Sequence, residues 1–355
     1  MTQASQVFDP QRLTPDASLQ RVVIGALPGV PADIAARPAA DVCSRDALVR
    51  LVLDTVGLPA PEPERLGDQL TELRSSPDPE TRKLAGRVLR AYGSRLGALL
   101  ATLKHPGTPT QQGGTAARRA YLEHWLGIER VWLGGGLLTL AGAGDILAGA
   151  QQLLSRAGTV LELRVGHCPR VLPLLGAARL SEPHDGRALV ADAGHSTIKS
   201  AVAVIDGGAL AALETLGALP APRHGGGRAA DACLVAALVA AAGALGAGPG
   251  RHRRVVVSVA SYLDGGAPLN DGRSIYGGIA PVRISQLLAA STGDDMSVEF
   301  VHDGSASALG IADPQLSAVV TIGTWLGIGF TPSNRPLLSG DPIVRERVSQ
   351  PNDER

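Results

Sequence analysis

The sequence predicts a mixed α/β protein of two lobes with extra helices at its N-terminal end, and three observations predict it. Residues 79–104 carry apolar side chains at helical spacing. From residue 130 onward, short β-branched runs alternate with helical segments. At 188–219 and again at 318–330, apolar runs flank glycine-bearing turns, which is how hairpins read. A chain of 355 residues is long enough to bury a sizeable core in each of two or three lobes.

Residues 1–77 are rich in proline and weakly periodic, as in LPGVPADIAARPAA and LPAPEPER, and read as short helices joined by irregular loops. Asp78–Pro79 then supplies an N-cap followed by proline at the first helical position, and Leu84, Val88, Tyr92, Leu96, Leu99, Leu100 and Leu103 line one face of a helix over 79–104. HPGTPTQQGG ends it, and a second helix covers 115–126. RVWL (130–133) reads as a strand running into Gly134, Gly135 and Gly136, with a helix from Asp145 to Ser155. TVLELRV (159–165) is a strand and 171–180 a helix. The polar SEPHDGR leads into the strand ALVADAG, and AVAVID and LAALETLGAL complete a β-meander. A helix over 228–246, the strand RVVVSVA (254–260), a helix at 284–291, the strand VEFVH (298–302), a short helix, and the strands AVVTIG and LGIGF complete the series. The resulting division is an extension over 1–77, a lobe over 78–181, a junction at 182–187, a lobe over 188–335 and a polar tail over 336–355.

Composition excludes several classes. Lys plus Arg and Asp plus Glu number 33 each, so there is no electrostatic case for nucleic acid or a membrane surface as partner. The most apolar stretch, 229–247, is mainly alanine and glycine with Asp231 inside it, which reads as a buried helix. Cys43, Cys168 and Cys233 are far apart, with no C-x-x-C pair, so neither a disulfide framework nor a zinc knuckle is indicated. MTQASQVFDPQ has no basic or apolar leader character, and a cytoplasmic location is expected. The basic residues are nearly all arginine, and only Lys83, Lys104 and Lys199 are lysines.

Four stretches carry chemistry. In ADAGHSTIKS (191–200), a hairpin tip at Gly194, His195 and Ser196 can surround phosphate oxygens with backbone N–H groups and with the Ser196 and Thr197 hydroxyls. Lys199 adds a compact positive charge, and Asp192 suits a hydrated Mg²⁺. By itself the stretch reads equally as an ordinary turn. VEFVHDGSASALG (298–310) puts His302 and Asp303 at a strand end, where a carboxylate can act as general base or serve as an N-cap. In AVVTIGTWLGIGF (318–330), Gly323 admits close backbone approach and Thr324 can donate to a phosphate; a plain hairpin is the simpler alternative. RVWLGGGLLTLAGAGDIL (130–147) is a strand, a glycine triplet and a helix, where a nucleotide can lie on bare backbone.

Together the four resemble the motif set of the actin-like ATPase superfamily of sugar kinases, acetate kinases and related ATPases. ADAGHSTIKSAVAVID is similar to its first phosphate motif, VVTIGTWLGIGF to its second, VHDGSASALG to the segment with the catalytic aspartate, and VWLGGG…LLGAARL to the adenosine motif. The spacing from Asp192 to Asp303 and on to Gly323 resembles the N-acetylglucosamine kinase-like and ROK-type branches, whereas G-T-W and H-D are closer to the FGGY carbohydrate kinases. In that superfamily the first phosphate motif opens the chain and the adenosine motif closes it. Here the order is reversed, so the resemblance implies an actin-like (ribonuclease H-like) fold that is circularly permuted across SEPHDGR.

What the resemblance implies is an ATP- and Mg²⁺-dependent kinase acting on a hydroxyl of a small, sugar-like molecule. Asp303 would be the base and Asp192 the metal residue. Gly194, His195, Ser196, Thr197, Lys199, Gly323 and Thr324 would lie at the phosphates, and Gly134, Gly135 and Gly136 at the adenosine. Asn270, Asp271 and Arg273 in the loop at 261–278, with His302, are the candidates for the acceptor. Residues 1–77 have no counterpart; capping the adenosine side or forming a subunit contact in a homodimer are the roles open to them. The sequence departs from the family at Trp325 (glycine in the ROK and acetylglucosamine kinase versions), His302 (asparagine) and His195 (glycine or threonine), and it lacks the ROK zinc signature, so no structural zinc is implied. The departures leave open a degenerate member that binds nucleotide or sugar as a sensor. A scaffold without ligand would leave the four coincident motifs unexplained, and residues 40–75 show no recognition helix for DNA.

Overall fold

The structure is a computed structural model, and it describes residues 8–55, 57–62, 65–108, 114–138, 140–181, 185–222, 227–245, 253–270, 274–332 and 342–346. In chain order the elements begin with α1 (Ala39–Cys43), α2 (Arg45–Leu53), α3 (Leu66–Arg74), α4 (Pro79–Lys104) and α5 (Ala116–Leu126). There follow β1 (Arg130–Gly134), α6 (Leu140–Arg156), β2 (Glu162–Val165), α7 (Leu172–Arg179), β3 (Gly186–Ala193), β4 (Thr197–Asp206) and β5 (Ala209–Pro220). The remainder is α8 (Arg228–Ala242), β6 (Arg253–Val259), β7 (Leu263–Asp264), β8 (Ala267–Pro268), α9 (Pro281–Thr292), β9 (Met296–His302), α10 (Asp303–Leu309), β10 (Ser317–Ile322), β11 (Leu326–Phe330) and β12 (Ile343–Glu346). The protein is thus a mixed α/β chain with more than one sheet, as expected.

It forms two compact units, one of Met1–Arg170 with Asp313–Ser333 and the other of Val171–Ala312 with Asn334–Arg355. In the first, a four-stranded sheet runs in the order β11-β10-β1-β2, with β1 parallel to both β10 and β2. Asp78 caps α4 by accepting from the Thr81 N–H at 2.9 Å, and Pro79 occupies the first turn, as the D-P dipeptide predicts. Helix α4 packs on α6 at glycines. A Cβ on Gly93 would sit 2.1 Å from the Ile146 carbonyl oxygen, and one on Gly149 would sit 2.1 Å from that of Arg90. The backbones therefore touch where no side chain fits, and the contact depends on glycine rather than on apolar bulk. Lys104 ends α4 by donating to the carbonyls of Trp125, Leu126 and Ile128, so one of the three lysines closes the C-terminal end of α5.

In the second unit, a six-stranded sheet runs β12-β5-β4-β3-β6-β9. Strands β3, β4 and β5 form the expected antiparallel meander, while β6 and β9 run parallel to β3. A core of Leu189, Val202, Leu234, Leu238, Val257 and Ile284, among others, joins the sheet to α8 and α9. The segment Arg228–Leu245 is long and apolar enough, by length and composition, to cross a membrane; here α8 lays Ala230, Leu234, Leu238 and Ala241 into that core. Its Asp231 forms an ion pair with Arg283 at 2.8 Å.

The structure corrects the expected division in three places. The hairpin β10–β11 belongs with the first unit, because β10 pairs in parallel with β1 through Arg130↔Ser317 to Gly134↔Thr321. Helix α7 belongs with the second unit, where Gly176 lies so close to α10 that a Cβ there would fall 1.6 Å from the Ala306 carbonyl oxygen. The expected polar tail also contributes a strand to the second unit: β12 pairs in parallel with β5, Ile343 opposite Ala212.

Candidate functional site

The parallel strands β3, β6 and β9 share a direction, so their C-terminal ends and the segments that follow lie together, the usual place for chemistry in such a sheet. Asp192 is the penultimate residue of β3, in register with Ser258 of β6 and with Lys199 of β4. Its side chain is 8% exposed, and among the described residues its two oxygens make long contacts, 3.3 Å to Lys199 Nζ and 3.4 Å to Ser258 Oγ. The turn that follows, Gly194–His195–Ser196, is pinned on several sides. The Gly194 N–H donates to the Thr197 carbonyl at 3.0 Å, the Ala221 N–H donates to the Ser196 carbonyl at 3.0 Å, and the buried Tyr276 hydroxyl donates to the Gly194 carbonyl at 2.8 Å. Thr197 opens β4, half-buried.

At the end of β9, His302 caps α10, with its Nδ1 accepting the Ser305 N–H at 3.2 Å. The sequence left the cap to Asp303. Because His302 takes it, Asp303 is the first residue of the helix, its Oδ1 accepting the Gly304 N–H at 2.7 Å and lying 3.2 Å from His302 Nε2. Burial pushes the Asp303 carboxyl up to about 6, the negative charge of Asp192 adds to that rise, and His195 opposes it. Yet 27% of the side-chain surface remains accessible, so the carboxyl is both desolvated and reachable. Burial also pushes the His302 imidazole down to about 4, which keeps it neutral. Tyr262 stacks on that ring at 4.8 Å between centroids and 11° between planes. The structure thus brings Asp192, Lys199, His195 and Asp303 into one electrostatic neighbourhood.

Asn270 is exposed in the following loop and packs against Gly277, where a Cβ would lie 3.1 Å from the Asn270 Oδ1. Asp271 and Arg273 lie outside the described residues.

In the first unit, Gly134 closes β1 and pairs with Thr321, so the glycine triplet and the β10–β11 turn stand side by side. Gly135 has φ +105°, its N–H donates to the Pro169 carbonyl at 2.7 Å, and a Cβ there would sit 2.2 Å from the Ile322 carbonyl oxygen. Gly136 differs, since a Cβ there would meet nothing within 4 Å. Gly323 is exposed, with its N–H donating to the Trp325 carbonyl at 3.2 Å; Thr324 is half-buried, and Trp325 is 42% exposed. Helix α3 of the N-terminal extension packs on this loop. A Cβ on Gly67 would lie 3.2 Å from the Gly136 carbonyl oxygen, and Asp68 pairs with Arg170 at 2.5 Å. A cavity of about 310 Å³ in the same unit, lined by Val52, Pro59, Leu66, Leu70 and Leu73, holds none of the candidate residues.

Sequence reading missed Ser258, Tyr262 and Tyr276. All three lie on β6 or in the loop after it, and the only available signal was that loops following parallel strands carry sites. Among the described residues, no group of three or more His, Cys, Asp and Glu side chains is arranged to hold a metal ion.

No protein-family model matches the chain, and no curated protein does. Among solved structures it is similar to the ROK hexokinase from Thermus thermophilus at 24% sequence identity and a TM-score of 0.28, covering 44% of this chain and 50% of that chain. The likeness therefore spans half the length of that protein, and the functional reading rests on the side chains described above.

Proposed function

We propose that the protein transfers a phosphoryl group from ATP to a hydroxyl of a small, sugar-like molecule, with Asp303 as general base. The observation that carries this is the Asp303 carboxyl: accessible, just past the C-terminal end of β9 in the parallel β3-β6-β9 part of the sheet, and raised to about 6 by burial and by Asp192. A base works best when its pKa approaches the working pH while enough of it remains ionised, and this carboxyl meets both conditions near neutrality. Its role is to take the proton of the acceptor hydroxyl as the oxygen becomes a nucleophile.

Mg²⁺ suits a carboxylate such as Asp192, whose contacts among the described residues are long, because that ion uses one or two carboxylates when phosphates and water complete its shell. Asp192 would hold it, and it would neutralise charge building on the phosphates. Within the second unit, Lys199, Ser196 and Thr197 suit the binding of phosphate oxygens; within the first, the open space at Gly136 suits close approach of a ligand to bare backbone, with Gly323 and Thr324 in the neighbouring turn. Gly135 is better explained by packing. The circular permutation belongs to the same proposal. Its support is that the meander that opens the second sheet starts at residue 186, mid-chain, while the last hairpin joins the first unit.

The rival reading is a nucleotide or sugar sensor, favoured by the Lys199–Asp192 pair, in which the metal residue and the phosphate residue are engaged with each other. The test begins with calorimetric titration of the full chain with ATP, with and without Mg²⁺. ADP release with a panel of hexoses is then measured for the parent and for Asp303→Asn. Magnesium-dependent binding with turnover lost in the variant supports the kinase. Binding with no turnover in either protein supports the sensor.

A further inference from the structure

We propose that Tyr276 is a positioning residue for the turn between β3 and β4: its buried hydroxyl holds the Gly194 carbonyl inward, keeping that oxygen away from the phosphates the turn receives. This rests on the reading of the β3–β4 hairpin as a phosphate site.

A fully buried tyrosine needs a reason for its hydroxyl. Tyr276 is 0% exposed and shares a core with Leu234, Ile279 and Ile284, where phenylalanine would fill the same space without burying an oxygen. The hydroxyl is accounted for by its bond of 2.8 Å to the Gly194 carbonyl. Burial, with the negative charge of Asp192 adding to it, pushes the phenol well above its ordinary range, so the group stays a donor.

Gly194 is where such an anchor is needed. A peptide that follows glycine turns easily, because no Cβ restrains it. A carbonyl oxygen swung toward a phosphate would repel it, whereas phosphate-binding turns present N–H groups. Two bonds oppose that rotation at the tip. Tyr276 holds the Gly194 carbonyl, and the Ala221 N–H holds that of Ser196 at 3.0 Å. The peptide is planar and trans, so the His195 N–H points opposite to the Gly194 carbonyl, away from Tyr276.

Tyr276 is itself tied back to the hairpin. Its N–H donates to Ser274 Oγ at 3.1 Å, and Ser274 Oγ donates to the Ala260 carbonyl at 3.3 Å. The Ala260 N–H in turn donates to the Ala193 carbonyl at 3.1 Å. Ala193 precedes Gly194, so these bonds close a ring around the end of β3. The loop after β6, which carries the acceptor candidate Asn270, is thereby joined to the hairpin through Ser274 and Tyr276.

The test uses the full chain labelled with carbonyl-¹³C glycine and ¹⁵N histidine. Glycine precedes histidine only at Gly166–His167 and Gly194–His195, so a carbonyl–amide correlation spectrum holds two signals, told apart by the one lost in His167→Gln. Tyr276→Phe keeps the ring in the core and removes the hydroxyl. In that variant the Gly194–His195 signal should move while Gly166–His167 stays; an unmoved Gly194–His195 signal overturns the proposal. Calorimetry supplies the functional arm. Mg-ATP affinity in Tyr276→Phe should fall roughly tenfold, the scale of one hydrogen bond to a charged group. Ile279→Val loosens the same core without touching the hydroxyl, and should lower Tm yet bind Mg-ATP as the parent does. Parental affinity in Tyr276→Phe, or an equal loss in both variants, refutes the positioning role. A parent that binds no Mg-ATP refutes the phosphoryl-transfer reading, and pyrophosphate then serves as the probe of the hairpin. A His195 signal that pyrophosphate shifts in the parent and not in Tyr276→Phe upholds the proposal, and one that responds alike in both overturns it.

Discussion

The glycine loop of the first unit and the acidic cluster of the second carry equally suggestive sequence, yet the structure treats them differently. In GGG, Gly135 is required by packing, because Ile322 leaves no room for a Cβ and the backbone is left-handed, whereas its neighbour Gly136 faces open space. The second unit instead keeps a carboxyl in surroundings that raise its proton affinity, which opposes the ionised form at neutral pH. A glycine can be explained by steric need alone. A desolvated, accessible acid beside a second acid is harder to explain by packing, and so points more strongly to function.

The sharpest way to break the comparison is Asp303→Asn. Turnover should fall roughly 10²–10⁴-fold, the usual contribution of a general base, while calorimetry shows ATP affinity within a few fold of the parent. Equal turnover would make the acidic cluster as incidental as Gly135.

Next comes the glycine pair. Gly135→Ala should destabilise the chain by about 3 kcal/mol or more in a denaturant melt, since both φ and the Ile322 carbonyl oppose a side chain. Gly136→Ala should change stability by about 1 kcal/mol or less, and weaker ATP binding in that variant would mark the loop as a nucleotide contact.

The acid limb of stability sharpens the contrast further. His302 is depressed from 6.5 to about 4, so its contribution is fully present above pH 6.5 and is lost as pH falls through 4, on the order of 3 kcal/mol. Asp303 is raised from 3.8 to about 6, so its contribution has the opposite sign: stability is present below pH 3.8 and is lost as pH rises through 6. In the parent the two slopes largely offset each other. Asp303→Asn should lose stability between pH 6.5 and 4, whereas His302→Asn should gain it between pH 6 and 3.8. Equal slopes in both variants would mean that neither group is perturbed by its surroundings.

The smallest effect concerns Asp192. The Asp303 carboxyl, followed by ¹³C NMR in the ligand-free protein, should titrate near 6, and Asp192→Asn, whatever it does to turnover, should move that titration limb to lower pH by removing the neighbouring negative charge. A limb unmoved by the change would leave burial as the sole cause.

Much of this was legible in the residues themselves. Asp78–Pro79 and the apolar stripe to Leu103 specified α4 to within a residue, because capping and periodicity act locally. The meander and the hairpin β10–β11 followed from alternating apolar runs and turn glycines, and Asp192 and Asp303 from their places at the ends of strands. Other features depended on non-local pairing. Nothing near residue 317 says that β10 lies beside β1, so the hairpin was assigned to the wrong unit; nothing in IVRE says that β12 pairs with β5. The sequence could nominate His302 and Asp303, but which of them caps the helix depends on where the imidazole falls once Tyr262 stacks on it. By itself the sequence determined the local elements and the chemical groups available, because these follow from spacing and side-chain type. Only the tertiary structure decided which groups share a low-dielectric surround, and so which carboxyl is raised and which imidazole stays neutral.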